Sequence, residues 1–577
     1  MSFFDDASLV FLPSGQAGKD GKAYSMKPVP EYGSELVTNG GFDTDTWWEK
    51  GTGWSISNGY ASVSNGAFAR LATPPSPSQI LVVGKQYKCT FEVVESEGGE
   101  LYVESNINVA VLTGVTALGI HSVTFTAQDD QIRFQARNNS LISIDNVSVR
   151  EVVVGDGDFT FSRGSNLTAT RVDSNGLIEK GRENLLLQSN SFDTTWFLSD
   201  TSVTSGQSGY DGSNDAWLLN STTTGSPRIQ QIVSLSGVAT YSVYAKAATD
   251  SFIQIRTFGA NSEAWFNLSS GTIAAAYGSQ YITSNIQSVG NGWYRCSVTF
   301  NGSLTTLRIY PASAFGVYST SGNGVYIQDA QLEQGLIATE PIESGATTGL
   351  AGILEDSPRF DYSGGATCPS LLLEPQRTNL IEYSEYFEGS GWTAQAGITL
   401  TANTTETLSP EGLNNAYKVV STDATKGFYF SGLNITNAAV RTIYLKGSVG
   451  GETIVFKDPS GFGTPSTKTL TTDWQRFEMA TTNDGNTYQG LFIDDISVGT
   501  IYAYGAQLEE GSYPTSYIPN HSGGSVTRDA DVNTLLNQSG VIGQTAGTIL
   551  FDAYFVDTTA SFMVLPSSSI TGGLIVR

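Results

Sequence analysis

The chain has 577 residues and carries 30 Lys and Arg against 55 Asp and Glu, a formal net charge of −25. That balance argues against duplex nucleic acid as a partner, because neutralising phosphates needs basic patches, and it leaves adhesion to a neutral glycan open. Charged residues make up only 15% and glycines number 63, with Thr, Ser, Val, Ile and Tyr spread between turn formers, which predicts short strands, many turns and an all-β fold.

No run of 18 apolar residues exists, so no transmembrane helix or membrane insertion is expected. The opening Met1-Ser-Phe-Phe-Asp-Asp6 has acids where a secretory signal needs positive charge. Cys89, Cys296 and Cys368 lie far apart, without metal spacing or a disulfide framework, and read as small buried residues. His121 and His521 are equally scattered, which argues against a Ser-His-Asp triad or a His-rich zinc site.

In chain order, residues 1–30 form an entry segment, with the strand-like Ala7-Ser-Leu-Val-Phe-Leu-Pro-Ser-Gly15. Residues 31–154 form a first module. Period-two alternation in Tyr87–Val93, His121–Thr126 and Ile132–Ala136 predicts half-buried strands of an antiparallel sandwich. Residues 155–182 are a connector whose Asn175-Gly176 is a hairpin turn signal. A second module spans 183–345, a second connector 346–378 and a third module 379–520. Residues 521–577 begin something new, with a strand expected from Gly547 to Phe555.

The three modules repeat one another. Each opens with an apolar stretch, then Phe and Trp: Leu36 to Phe42 and Trp47, Leu185 to Phe192 and Trp196, Leu380 to Phe387 and Trp392. Each closes on a strand-like phrase: Ile144-Asp-Asn-Val147, Ile327-Gln-Asp-Ala-Gln-Leu-Glu333 and Tyr504-Gly-Ala-Gln-Leu-Glu509. Modules 2 and 3 agree at further ordered points, such as Tyr241–Lys246 with Arg441–Lys446, which points to common ancestry. Periods this long describe whole modules, each able to bury its own core.

The repeated Trp47, Trp196 and Trp392 are expected in cores, since equivalence amid divergent neighbours marks burial. Trp48, Trp54 and Tyr60 of module 1 are not repeated and are the carbohydrate-binding candidates; their alternative is partial burial. Trp293 and Trp474, beside Arg295 and Arg476, are expected to face inward. Glu333 and Glu509 are one structural feature seen twice, and adjacent Asp494 and Asp495 face opposite ways on a strand, so no catalytic carboxylate pair emerges and no enzyme is expected.

Asn-x-x-Phe…Trp with Ile-Asp-Asn-Val resembles jelly-roll carbohydrate-binding modules. The wider chain resembles virion fibre proteins of tailed bacteriophages, through Ser8–Gly15, Phe159-Thr-Phe-Ser-Arg-Gly-Ser165, Ala169-Thr-Arg-Val172, Pro358–Tyr362, Cys368–Leu380 and the endings Gln331–Gly335 and Gln507–Pro519. The tail from Gly547 looks like the start of a concanavalin-like lectin sandwich. The resemblance implies tandem jelly-roll sandwiches joined by short β connectors in a homo-oligomeric fibre, trimer favoured. Such a fibre is made in the host bacterial cytoplasm and displayed on the virion surface. It would contact other virion proteins through the N-terminal segment and host-surface glycans through its modules. The alternatives are a head fibre or capsid decoration without a glycan role, and a tailspike depolymerase. No cofactor is required; the jelly-roll resemblance implies a structural calcium held by Asp43 and Asp145 in module 1, with Asp329 as the corresponding acid in module 2.

Overall fold

The computed structural model describes residues 22–23, 29–66, 68–75, 78–138, 140–155, 159–164, 167–355, 357–365, 367, 369–435, 437–457, 465–481, 488–534, 562–564 and 574–576. Cys368 and the strands expected at 7–15 and 547–555 fall outside these residues. Among the described residues the regular elements are antiparallel β-strands, with one 3-10 turn at Ser363–Gly365. The strands build three two-sheet sandwiches, so the fold is all-β and tandem.

In each module one sheet, called sheet I, holds the closing strand: Ser140–Gly155, Gly324–Gln334 or Gly499–Glu510. Alternation places the core. In Gln86–Ser96 the residues Tyr87, Cys89, Phe91 and Val93 are buried while their neighbours are not. In Thr453–Lys457 it is Ile454 and Phe456. Opposing inner faces interdigitate into one apolar core per module, which carries the hydrophobic driving force.

The repeated phrases stitch each opening turn to its closing strand. The closing strand bulges at Asn146, Asp329 and Gly505, whose φ angles are 52°, 46° and 58°. The next amide donates to the opening turn: Val147 to the Gly40 carbonyl (2.9 Å), Ala330 to Ser189 (2.9 Å) and Ala506 to Ser384 (2.8 Å). Asn146, Asp329 and Gly505 are therefore equivalent, and Asp145 matches Gln328 and Tyr504 instead. Left-handed backbone suits Asn, Asp and Gly, which explains the residue types there.

The tryptophan repeat is shifted by one in module 1. Trp48, not Trp47, donates its indole N–H to the opening turn, at the Asn39 carbonyl (2.8 Å), as Trp196 does to Gln188 (3.1 Å) and Trp392 to Tyr383 (3.2 Å). Each packs on the repeated Phe, with ring centroids 5.3, 5.2 and 4.7 Å apart. Trp47 is half-buried, has φ +78° and stands edge-on to Trp48. Burying each of Phe42, Phe192 and Phe387 contributes roughly 1.5–3 kcal/mol.

The connectors fold together with the tail. Lys22–Ala23, Phe159–Ser162 and Val532–Thr534 make one small sheet, and Val526–Arg528 pairs with Arg377–Asn379. Residues 521–534 thus finish the connector framework rather than starting a new unit. At its centre sit Arg163, Arg359 and Arg528, all without side-chain exposure. Arg163 meets Asp531 at 3.1 Å; Arg359 and Arg528 share Glu374 at 2.8 and 2.9 Å, and Arg359 also pairs with Asp531.

The Asn-Gly signal forms a hairpin, Thr170–Val172 with Ile178–Lys180, turning at Gly176 with φ +79°. It docks on module 3. The Ile178 amide donates to the Pro410 carbonyl (2.8 Å), and Ile178 packs with Tyr504 and Tyr517. The buried Lys180 ammonium meets Glu385 at 2.9 Å and also pairs with Glu411, which Arg182 reaches at 2.8 Å. Tyr504 and Tyr517 donate to Glu385 (3.1 and 3.0 Å), and His521 lies 3.8 Å from it.

Candidate functional site

The glycan candidates of module 1 do not form a platform. Trp48 and Trp54 are each only 6% exposed and belong to the core, because the opening turn and the first hairpin fold inward over the end of the sandwich. Tyr60 is half-exposed in the hairpin of Trp54–Ser57 with Tyr60–Gly66, on sheet I. The three residues present no common surface for a sugar ring. The expected core position of Trp196 and Trp392 is what the structure shows, but Trp293 and Trp474 do not face the sandwich cores: Trp293 is buried beside Ala216 and Tyr244, and Trp474 is half-buried against Ile178, Tyr504 and Tyr517. Arg295 and Arg476 stack over Tyr244 and Tyr444 rather than over the tryptophans, at 5.3 and 5.6 Å.

The expected calcium acids each have a local setting of their own. Asp43 is exposed; Asp145 accepts the amide of Asn146 next to it (2.6 Å); Asp329 accepts the Tyr210 hydroxyl (2.9 Å). Among the described residues no group of three or more His, Cys, Asp or Glu side chains could hold a metal ion. In the opening turn the Asn39 carboxamide donates to the carbonyls of Thr44 (2.7 Å) and Thr46 (3.0 Å). The opening turn of module 1 is thereby held by its own amide.

The surface that stands out is the outer face of sheet II in module 2. Its strands run in the order Phe197–Ser199, Arg228–Leu235, Leu304–Ala314, Phe252–Phe258, Ser262–Asn267 and Thr272–Gly278, with Val317–Tyr318 added beside Leu304–Ala314. Ile253, Ile255, Ile309 and Phe266 point into the core. The residues between them face outward and are aromatic or polar: Gln254, Arg256, Phe258, Trp265, Arg308 and Tyr310.

These side chains form two adjoining groups. Trp265 stacks with Tyr318 (5.6 Å, 22°) and meets Phe315 edge-on (5.6 Å, 83°), and Tyr318 stacks with Tyr310 (5.0 Å). Beside them the Arg308 guanidinium lies 3.8 Å over Phe258 and that of Arg256 lies 4.7 Å over the same ring. Arg256 pairs with Glu263 at 3.1 Å. The Tyr318 hydroxyl donates to Gln254 (3.0 Å) and Arg308 to the Tyr310 hydroxyl (3.1 Å).

Phe315 and Tyr318 are carried on a hairpin that turns at Gly316, where φ is +74°. Phe315 and Tyr277 are about half exposed, at 52% and 51%, while the Trp265 and Tyr310 rings beneath are buried. The indole N–H of Trp265 and Nε of Arg308 have no hydrogen-bond partner among the described residues. Burial pushes the Tyr318 phenol up, and the Glu263 carboxylate at Tyr277, together with burial, does the same there, so both stay neutral donors around neutrality. Apolar ring faces rimmed by guanidinium, carboxamide and hydroxyl groups suit a ligand that is flat and apolar on one side and rich in hydroxyls at its edge.

The same face differs in the other modules. In module 1 it is polar: Arg70, Tyr102, Glu104, Arg133, Gln135 and Arg137 occupy adjacent outward positions of Arg70–Ala72, Arg133–Arg137 and Glu100–Asn106. In module 3 it carries the stacked Tyr429 and Phe492 (4.4 Å, 4°) and the Lys457–Asp494 pair. Sequence reading did not single out the module 2 face, because its aromatics come from four separate stretches of the chain. Its signal was the alternation in Phe252-Ile-Gln-Ile-Arg256, where the polar outward set is as regular as the inward isoleucines.

No protein-family model matches the sequence, and no curated protein matches it. Among solved structures, the chain is similar to a tandem CBM22 domain from Paenibacillus barcinonensis, at 12% identity and a TM-score of 0.17, over 54% of this chain and 99% of that one. It is similar to tandem CBM51 modules of a family 98 glycoside hydrolase from Streptococcus pneumoniae, at 12% identity and a TM-score of 0.14, over 57% and 98%. A third match is the M60 catalytic domain with two CBM51 domains of Clostridium perfringens ZmpB, at 8% identity and a TM-score of 0.15, over 86% of this chain and 55% of that one. All three contain tandem carbohydrate-binding modules, the third beside a catalytic domain. Scores of this size carry no argument about ligands, and the three sandwiches of this chain rest on its own strand pairing.

Proposed function

We propose that the chain is a non-catalytic glycan-binding protein whose principal site is the outer face of sheet II in module 2. The observation that carries this reading is the joined set of Trp265, Phe315 and Tyr318 with Arg256, Arg308 and Gln254. In the fuller reading it is a tailed-phage virion fibre, homo-oligomeric and displayed at the virion surface, that attaches to host-surface glycans. The connector phrases Phe159–Ser165 and Cys368–Leu380 support that part. Repetition of a weak site between the chains of an oligomer raises avidity by orders of magnitude, so no single site need be tight.

The test is a glycan array followed by calorimetry on the full chain and on Trp265→Ala. Binding of neutral bacterial polysaccharides is expected, with the variant weaker by roughly tenfold or more. Silence across the array would favour a structural role. Reducing ends released from a bound polysaccharide would overturn the non-catalytic reading.

A further inference from the structure

Module 1 presents, at the place of the module 2 site, a face of different chemistry. Outward positions along Arg133–Arg137 are Arg133, Gln135 and Arg137. Gln135 is flanked by Arg70 on one side and Tyr102 on the other, and Arg133 lies beside Glu104. Arg70 donates to Glu104 (2.7 Å) and to Asn108 (3.0 Å), which brings the turn after Glu100–Asn106 over the face. The Arg137 guanidinium sits 4.0 Å over the Tyr102 ring and 5.7 Å from the exposed Phe68, and lies 3.6 Å from Glu104.

The hydrogen-bond capacity of this face is unevenly used. Arg133 spends one terminal nitrogen on Asp129 and Gln131, both at 2.7 Å, and its Nη1 has no partner among the described residues. Gln135 spends its oxygen on Arg137, and its Nε2 has no partner among the described residues. Both side chains are more than nine-tenths buried. Glu104 Oε2 is taken by Arg70; Oε1 accepts no hydrogen bond but faces Arg137. Two buried N–H donors, two residues apart on one strand and set among three guanidinium groups and the carboxylates of Glu104 and Asp129, are thus left without an acceptor among the described residues. Leaving buried donors unmade is costly, and an oxygen-rich anion would satisfy both.

We propose that this face of module 1 is a second saccharide site, selective for sugars that bear a carboxylate, such as uronic acid residues. The carboxylate accepts from Arg133 Nη1 and Gln135 Nε2, and the apolar side of the ring lies toward Phe68. The proposal rests on the glycan reading above and gives the chain two sites with separate ligand classes.

The test uses the full chain with an oligogalacturonide and a neutral oligosaccharide of equal length, by calorimetry at two salt concentrations. The oligogalacturonide is expected to bind, more weakly at higher salt. Gln135→Glu keeps the acceptor for Arg137 but sets a carboxylate against the ligand, and is expected to weaken that binding by roughly tenfold or more without changing the neutral glycan affinity. Trp265→Ala is expected to do the reverse. Neutral binding that is lost in Trp265→Ala, without any uronide binding, overturns this proposal and leaves module 2 standing. Uronide binding that Gln135→Glu does not change also overturns it. Absence of binding by either ligand overturns both readings.

Discussion

Modules 2 and 3 share one frame and differ at one crevice. In both, a buried Asn just before the opening turn (Asn184, Asn379) donates to two carbonyls and accepts from two amides. In both, a buried Glu (Glu333, Glu509) takes the amide and hydroxyl of a Thr six residues on. In module 3 the crevice beside this frame holds Lys180 from the connector hairpin. In module 2 the matching place is closed by its own side chains. Tyr210 stacks on Tyr244 at 3.8 Å and donates to Asp329, with Asp211 and Asp215 nearby. One module completes itself, and the other is completed by a distant stretch of chain.

The largest way to break the comparison is Lys180→Ala. It leaves Glu385 buried without its ammonium, a loss of about 3–5 kcal/mol from module 3. Calorimetry of the full chain should show the module 3 transition fall while that of module 2 stays.

Acid should separate the modules next. Burial opposes ionisation of Glu385, but the Lys180 ammonium and His521 outweigh it and bring its pKa to about 2 from 4.5. A carboxyl lowered in the fold stabilises above its unfolded pKa, and that contribution is lost as pH falls from 4.5 toward 2. Burial lowers the His521 pKa below 6.5, so protonation costs module 3 stability already as pH falls below that value.

Asp329 runs the other way. Burial, aided by Asp215, Asp211 and Glu343 against the Tyr210 hydrogen bond, pushes it up to about 6 from 3.8. Its favourable contribution is complete below 3.8 and lost as pH rises through 6. Asp329→Asn should therefore stabilise module 2 by about 1–2 kcal/mol at neutral pH, discounted for its partial exposure, and by nothing once pH is below its unfolded pKa. Urea melts of module 2 at neutral and acid pH check this. The smallest effect is expected at the shared closing bulge. Asn146→Gly, which copies Gly505, should move module 1 by no more than about 0.5 kcal/mol in the same assay, because both residue types accept φ near +50°.

The sandwich class and the repeat were legible, because alternation in stretches such as Tyr87–Val93 reports burial directly, and the Asn175-Gly176 turn reports its hairpin. The one-residue shift from Trp47 to Trp48 was not legible, since both are Trp, and the indole hydrogen bond to Asn39, the contact with Phe42 and the burial that tell them apart arise only in the fold. Nor was the equivalence of Asp329 with Asn146, which depends on where the closing strand bulges. The module 2 face was hidden for another reason. Gln254, Phe258, Trp265, Tyr310 and Tyr318 become neighbours only through sheet pairing across more than sixty residues. A turn acid and a cation ligand look alike in sequence until their hydrogen bonds are known, as with Asp145 and Asp329.

Lys22–Ala23 and Phe159–Ser162 precede and follow module 1, yet pair directly, with Lys22 opposite Thr160 and Ala23 opposite Phe159. The chain therefore leaves and re-enters the connector sheet at neighbouring strands, about 5 Å apart. Module 1 hangs from the rest like a pendant on a closed clasp. A different sandwich, or a short turn, could bridge those two strands without disturbing modules 2 and 3. In recombination such a position is a cassette slot, where one module can be exchanged for another while the framework is inherited unchanged.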